Sequence, residues 1–135
     1  MSASPADLVR SFISKVGTSA ADEYWGDSAA LEIPYAPPPW PTRVSGRESV
    51  LEYMGGVHHV IRGWHMGIDT LYDAGDGTVI VEMHGSGEVV ATGKPYTQNY
   101  IAVLKIEDGK VVLWREYSNP LSVFEAFGDS ETVSA

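Results

Sequence analysis

Near Trp64 the hydrophobic period of this chain changes, and that change restricts its fold more than any other feature. Before it, apolar residues recur at three- and four-residue spacing: Leu8, Val9, Phe12, Ile13 and Val16, then Val50, Met54, Val57 and Ile61. Such spacing draws one stripe along a helix. Beyond Trp64 the period falls to two, which puts alternate side chains on opposite faces of a strand. Strands are expected near 64–73, 78–92, 95–107 and 110–118. Asp73-Ala74-Gly75-Asp76-Gly77 and Glu107-Asp108-Gly109-Lys110 read as tight turns between them. Gly85-Ser86-Gly87, inside a strand, predicts a bulge or a sharp bend.

The first half supplies helices. Ser4 reads as an N-cap with Pro5 in the first turn, and Gly17 ends that helix. A short second helix is expected from Ser19 to Trp25, stopped by Gly26, followed by a strand over Ala30–Ala36. Pro37-Pro38-Pro39-Trp40-Pro41 is irregular, because four of its five residues lack an N–H. A third helix starts at Ser45, where Ser45 and Glu48 have capping-box spacing. Phe124–Phe127 is expected to form one helical turn, with Phe124 and Phe127 docked on the body, before a disordered tail at 129–135. Residues 1–128 thus read as a single α+β domain, a cone-shaped, curved antiparallel sheet wrapped around helices. A bent sheet of this kind leaves a cavity at its open end, a natural small-molecule site. Ile101 and Val103 face away from Tyr100, Ala102 and Leu104, so this strand needs cover on both sides. A homodimer built on the sheet's outer face is the expected cover.

Composition excludes several function classes. Nine Lys+Arg against eighteen Asp+Glu give a formal charge of −9, which repels phosphate backbones and anionic bilayers. Neither nucleic acid nor membrane is therefore an expected partner. No apolar run approaches the ~18 residues of a membrane span. Met1–Arg10 has no basic-then-apolar leader, and there is no cysteine, so the expected compartment is the cytoplasm. His-Glu-x-x-His, Gly-x-Ser-x-Gly and dinucleotide fingerprints are all missing. His58 and His59 do not share a helix face as a chelating pair would. Neither a metal nor a cofactor is expected.

Ile33-Pro34-Tyr35-Ala36-Pro37-Pro38, Gly46-Arg47-Glu48 and Arg115-Glu116-Tyr117-Ser118-Asn119-Pro120 resemble the nuclear transport factor 2-like superfamily, in particular its SnoaL-like branch and the phenazine-biosynthesis A/B-type proteins. Ketosteroid isomerase is a more distant relation. The resemblance spans nearly the whole chain and implies a cystatin-like α+β barrel. This fold hosts isomerases, cyclases, dehydratases, epoxide hydrolases and non-enzymatic binders. In the phenazine proteins a pocket glutamate lies on the last strand in an Arg-Glu-aromatic setting, which the resemblance transfers to Glu116. Their pocket histidine, seven residues after the glycine of Gly-Arg-acidic, is replaced here by Tyr53.

The candidate chemistry follows. Strand period puts Val112, Trp114, Glu116 and Ser118 on one face, and a carboxyl in an apolar hollow can move protons near neutrality. Helix period puts Tyr53 and His58 beside the Met54/Val57/Ile61 stripe, either one a donor to a developing oxyanion or simply packed. Glu82, His84 and Glu88 share a strand face, as an acid–base pair or as a polar exterior. Tyr24, Trp25, Tyr35 and Trp40 cluster at element ends around the proline-rich loop, where they line a cavity mouth or seal the core. Tyr96, Gln98 and Tyr100 face one way and Thr97 and Asn99 the other, and either set could line the cavity; Asn99 and Tyr100 are carried forward with Val57 and Trp114. The expected function is a cofactor-independent isomerase, cyclase or dehydratase acting on a small hydrophobic carbonyl or polyketide-like molecule, with Glu116 as acid/base and Tyr53 or His58 as donor. The alternative is a non-catalytic carrier of small hydrophobic ligands.

Overall fold

The computed structural model describes residues 4–128. Helix α1 (Pro5–Lys15) begins where the Ser4 hydroxyl accepts a bond from Asp7 N at 3.1 Å, and its inner face buries Val9, Phe12 and Ile13. A 3-10 helix at Ser19–Tyr24 follows, one residue shorter than expected, because Trp25 already belongs to strand β1 (Trp25–Glu32). Trp25 is buried between Phe12 and Trp114, with ring centroids 5.3 and 6.2 Å away. Gly26, expected to stop a helix, instead lets β1 run close to the last strand, where an added Cβ would lie 3.3 Å from Lys110 and Val112 side-chain atoms. The strand expected at 30–36 therefore ends at Glu32, and Pro34 and Pro37, which cannot donate to a ladder, lie beyond it.

Strand β2 (Arg43–Ser45) pairs with β1 and leads into α2 (Arg47–Val60). The expected capping box does not form. Ser45 belongs to β2, where its hydroxyl accepts from Arg43 Nε at 3.1 Å, and Gly46, with φ at 91°, takes the cap position. The helix continues through Gly55-Gly56, where the site of an added Cβ has no atom within 4 Å.

Strands β3 (Ile61–Gly75), β4 (Thr78–Val89), β5 (Pro95–Glu107) and β6 (Lys110–Ser118) complete a curled, unclosed sheet in the order β2-β1-β6-β5-β4-β3. Every neighbouring pair is antiparallel except β1 and β6, which run parallel, so the sheet is mixed where all-antiparallel pairing was expected. Helix α1 packs on β3 and β4, α2 on β1. Helix α3 (Pro120–Phe127), capped by the Asn119 side chain at 3.0 Å from Leu121 N, packs on β5. It is two turns long where one was expected, and Phe127 is buried while Phe124 is half-buried. The expected tail lies outside the described residues. No helix among the described residues is long and apolar enough to cross a membrane.

The two strand glycines work differently from the expectation. Pairing of β4 with β5 is unbroken from Thr78 to Glu88, so Gly85-Ser86-Gly87 makes no bulge in that ladder. The irregularity falls opposite, on β3, between Arg62 and His65. There the Trp64 indole lies over the space that side chains at 85 and 87 would fill. A Cβ at Gly85 would stand 2.4 Å from the Trp64 ring, and one at Gly87 2.6 Å from Ile61 Cγ2. Another irregularity, on β6 opposite Lys105 and Ile106, leaves Val112 out of step: Val111 and Trp114 are both buried. Val112 does not share a face with Trp114 as the simple period predicts.

The Trp64 contact has a direct test. Gly85→Ala should lower stability by roughly 1–3 kcal/mol through overpacking against the Trp64 ring, read from the urea midpoint. Gly67→Ala places its Cβ 2.7 Å from His84 Nε2, but that ring is half exposed and can turn aside, so the loss should stay under ~1 kcal/mol. Equal losses would remove the special role of Trp64.

Candidate functional site

The strand alternation decides which side chains meet. On β5, Tyr96, Gln98 and Tyr100 are buried on the concave side and Asn99 is exposed on the other. On β6, Trp114, Glu116 and Ser118 turn to the same concave side. Helix α2 lays Tyr53, Val57 and His58 across this hollow, the proline-rich loop adds Trp40, and α3 closes its end with Val123 and Phe127. The result is a cavity with about 110 Å³ of free space.

Glu116 is the one carboxylate on its wall among the described residues. It is half-buried and borders the free space. Trp114 Nε1 donates to its Oε1 at 2.8 Å. Burial pushes the Glu116 carboxyl up to about 7, only partly offset by that indole N–H, which favours the charged form. Tyr53, Tyr96 and Tyr100 surround it. Burial raises all three phenols, and the nearby Glu116 charge raises them further. They remain protonated and can act as hydrogen-bond donors. Burial lowers the His58 imidazole, with Asp22 pulling weakly the other way, and its Nδ1 has no partner among the described residues.

Gln98 organises the cavity's end. Its Nε2 donates to Tyr96 Oη at 3.0 Å and to Asn119 O at 2.9 Å, while its Oε1 accepts from Asn119 N at 3.0 Å. This buried amide ties β5 to the start of α3 and fixes where Phe127 lands. Sequence reasoning had weighed Gln98 only as a wall residue.

Of the residues singled out from the sequence, Glu116, Tyr53, His58, Trp40, Val57, Tyr100 and Trp114 meet at the cavity. Six others do not. Tyr24 stacks on Phe12 and holds Ser11 Oγ and Lys15 Nζ at 2.7 and 2.6 Å. Trp25 lies in the core and borders a separate hollow between α1, the 3-10 helix and α2, where Met54 and His58 also reach. Tyr35 is 66% exposed and meets Tyr117 edge-on outside. Glu82, His84 and Asn99 lie on the convex face, because Val79, Val81 and Met83 take the inward positions of β4 and period two sends the even residues out. His84 Nδ1 does pair with a carboxylate, Asp69 Oδ1 at 2.8 Å, but no third metal-ligating residue joins them among the described residues. Trp64 and Phe127 were missed as wall residues, and Tyr96, weighed with its face of β5, was not carried forward. The one sequence signal for Trp64 was the pair of glycines on the neighbouring strand.

Comparisons with known proteins agree on this architecture. A PhzA/B-like protein of Pseudomonas aeruginosa, itself uncharacterized, is 36% identical over 107 residues, which is 77% of this chain and 74% of the relative. The crystal structure of a candidate isomerase from Bacillus subtilis is 35% identical, with a TM-score of 0.80 over 93% of this chain and 94% of its own. A protein with a ketosteroid isomerase-like fold from Catenulispora acidiphila, in complex with trimethylamine, superposes with a TM-score of 0.78 over 93% and 95% of the two chains. At 16% identity that last likeness is one of fold alone. The model of the SnoaL-like domain matches residues 12–114, and with that match over most of its length the chain belongs to the SnoaL-like family, on a nuclear transport factor 2-like fold.

Proposed function

We propose that this protein is a cofactor-independent isomerase, cyclase or dehydratase that moves protons on a small hydrophobic carbonyl compound. The observation that carries the reading is Glu116, an acid enclosed beside an apolar cavity and pushed up to about 7. A general base works best when its pKa lies near the working pH. As carboxylate, Glu116 takes a proton from the carbon next to the carbonyl. The electron pair moves to the carbonyl oxygen, where the Tyr53 hydroxyl donates to the developing charge, with His58 as the second candidate donor. Glu116, now the acid, returns the proton to a different carbon or to a departing hydroxyl. The cavity size suits about one ring, since a 150 Å³ apolar cavity holds benzene. Non-catalytic carriage of the same kind of molecule is the second reading, favoured by the predominance of apolar side chains on the walls.

Deuterium wash-in from D₂O into small enolisable cyclic ketones, followed by NMR, tests the chemistry. The rate should rise with pH and level off above about 7, as Glu116 ionises. Glu116→Gln should cut it ~10²-fold or more. An unchanged rate in that variant removes Glu116 as the base, and absence of exchange in every ketone supports carriage.

The same acid has a signature that needs no substrate. In the unfolded chain it ionises near 4.5, in the fold near 7. Between these values the native state holds a proton that the unfolded state has shed, so its contribution is complete below the lower value, falls as pH rises, and is lost above the upper. Glu116→Gln removes this dependence. Relative to wild type, the variant should gain roughly 2–3 kcal/mol in urea unfolding between about pH 4 and pH 8. A constant difference across that range would show that Glu116 titrates normally.

The convex face carries Tyr72 and Ile101, 49% and 46% exposed, with Val103 half-buried beside Ile101's strand neighbours. Their exposure supports a homodimer assembled on this face. Light scattering should give the mass of two chains at tens of micromolar, and a monomer mass there rules the dimer out.

A further inference from the structure

Among the described residues the cavity wall carries one carboxylate, one imidazole (His58) and no lysine or arginine, and its aromatic rings form a connected belt. Tyr53 meets Trp40 at 6.5 Å between centroids, Trp40 meets Phe127 at 5.6 Å, and Phe127 meets Tyr96 at 5.8 Å. Tyr96 then stacks on Trp64 at 5.8 Å, and Trp64 meets Tyr100 edge-on at 6.4 Å. All six rings border the same free space as Glu116. No lysine or arginine does. The neighbouring Arg115 turns to Glu32, 3.4 Å away. Aromatic faces carry negative potential and attract cations, most strongly where water is excluded. Such a belt closed by an acid presents a cation with favourable charge on several sides, while a neutral molecule of the same shape gains only the packing.

We propose that the cavity is a recognition site for small alkylammonium ions, with the six-ring belt as the cage and the Glu116 carboxylate as counter-ion. The inference rests on the reading of this cavity as a ligand site, but not on catalysis. A free space of about 110 Å³ limits the ligand to a head group such as trimethylammonium with a short arm. The titratable groups that border the cavity with Glu116 are Tyr53 and His58 from α2 and Tyr96 and Tyr100 from β5, and the Trp114 indole of its own strand donates to it. The phenols stay protonated, burial disfavours the charged form of the His58 imidazole, and burial pushes the Glu116 carboxyl up to about 7. A bound cation favours its ionised form, so binding below about pH 7 expels a proton.

The test compares choline with 3,3-dimethylbutan-1-ol, which has the same shape with a carbon in place of the charged nitrogen. Calorimetry on the intact protein at about pH 8.5 should show choline binding at least tenfold more tightly. The margin should shrink at about pH 5.5, with proton release visible as a dependence of heat on buffer, and should disappear in Glu116→Gln. Trp40→Leu keeps an apolar side chain at the mouth but removes one ring, and should weaken choline severalfold while leaving the alcohol nearly unchanged. Equal binding of the two ligands at the higher pH, or no binding of choline at millimolar concentration, overturns the inference. Deuterium wash-in and the pH dependence of stability use no cation, so they can survive that outcome. Conversely, a choline preference that persists when wash-in is absent leaves the cage standing and removes the proton-transfer chemistry.

Discussion

Trp64 can lie flat against β4 only because Gly85 and Gly87 offer it no side chains. Much of the molecule's interior follows from that contact. The indole reaches past β4 to stack on Tyr96 and meet Tyr100, so an outer strand of the sheet contributes to the cavity wall. The adjacent irregularity on β3 aims the ring inward and lets the strand curl over α1. Any larger residue at position 85 would push the ring into the free space beside Glu116. Two glycines that look like weak points in a strand are therefore what makes the hollow possible.

Enclosing Glu116 works against folding unless the acid keeps its proton or finds compensation. The chain supplies both in part. Trp114, two residues earlier on the same strand face, offers a hydrogen bond, and burial raises the carboxyl toward neutrality. The phenols around it have a cost of their own when charged, which keeps them neutral. Gln98 supports the arrangement from behind, since its amide satisfies both backbone groups of Asn119 and orients Tyr96. An amide suits this place because it both donates and accepts without carrying charge.

The sheet half of the fold was legible because a period of two is enforced by burial along every strand. Val79, Val81 and Met83 inward imply Glu82 and His84 outward, and β5 obeys the same rule from Tyr96 to Leu104. What periodicity could not supply was the choice of face, so Glu82, His84 and Asn99 were expected at a cavity that lies on the other side. Glu116 and Tyr53 border the cavity, in keeping with strand and helix periods that each gave them a defined margin beside buried neighbours. The helix starts were harder. Ser45-x-x-Glu48 matches a capping pattern, yet pairing of β2 with β1 claims Ser45 first, a case of a long-range ladder overriding a local signal. Trp25 and Tyr24 failed for a related reason: nothing in the neighbouring sequence tells whether an aromatic at an element's end turns toward the core, a lysine or a cavity. The slip at Val112 is likewise set by the partner strand, through the mismatch opposite Ile106.

The parallel pairing of β1 with β6 carries a kinetic consequence. Leu31 lies in register with Trp114, about eighty residues later in the chain. A contact of that sequence separation closes a large loop, and folding rates fall as such contacts come to dominate. The hairpins of β3 through β6 can assemble from local turns, but the wall formed by Leu31 and Trp114 must wait for the two ends of the chain to meet. During synthesis, β1 emerges long before its partner. Until β6 arrives, the edge of β1 has only the three residues of β2 to pair with. The acid site and the core around Trp25 are thus completed together, in the step that joins the first strand to the last.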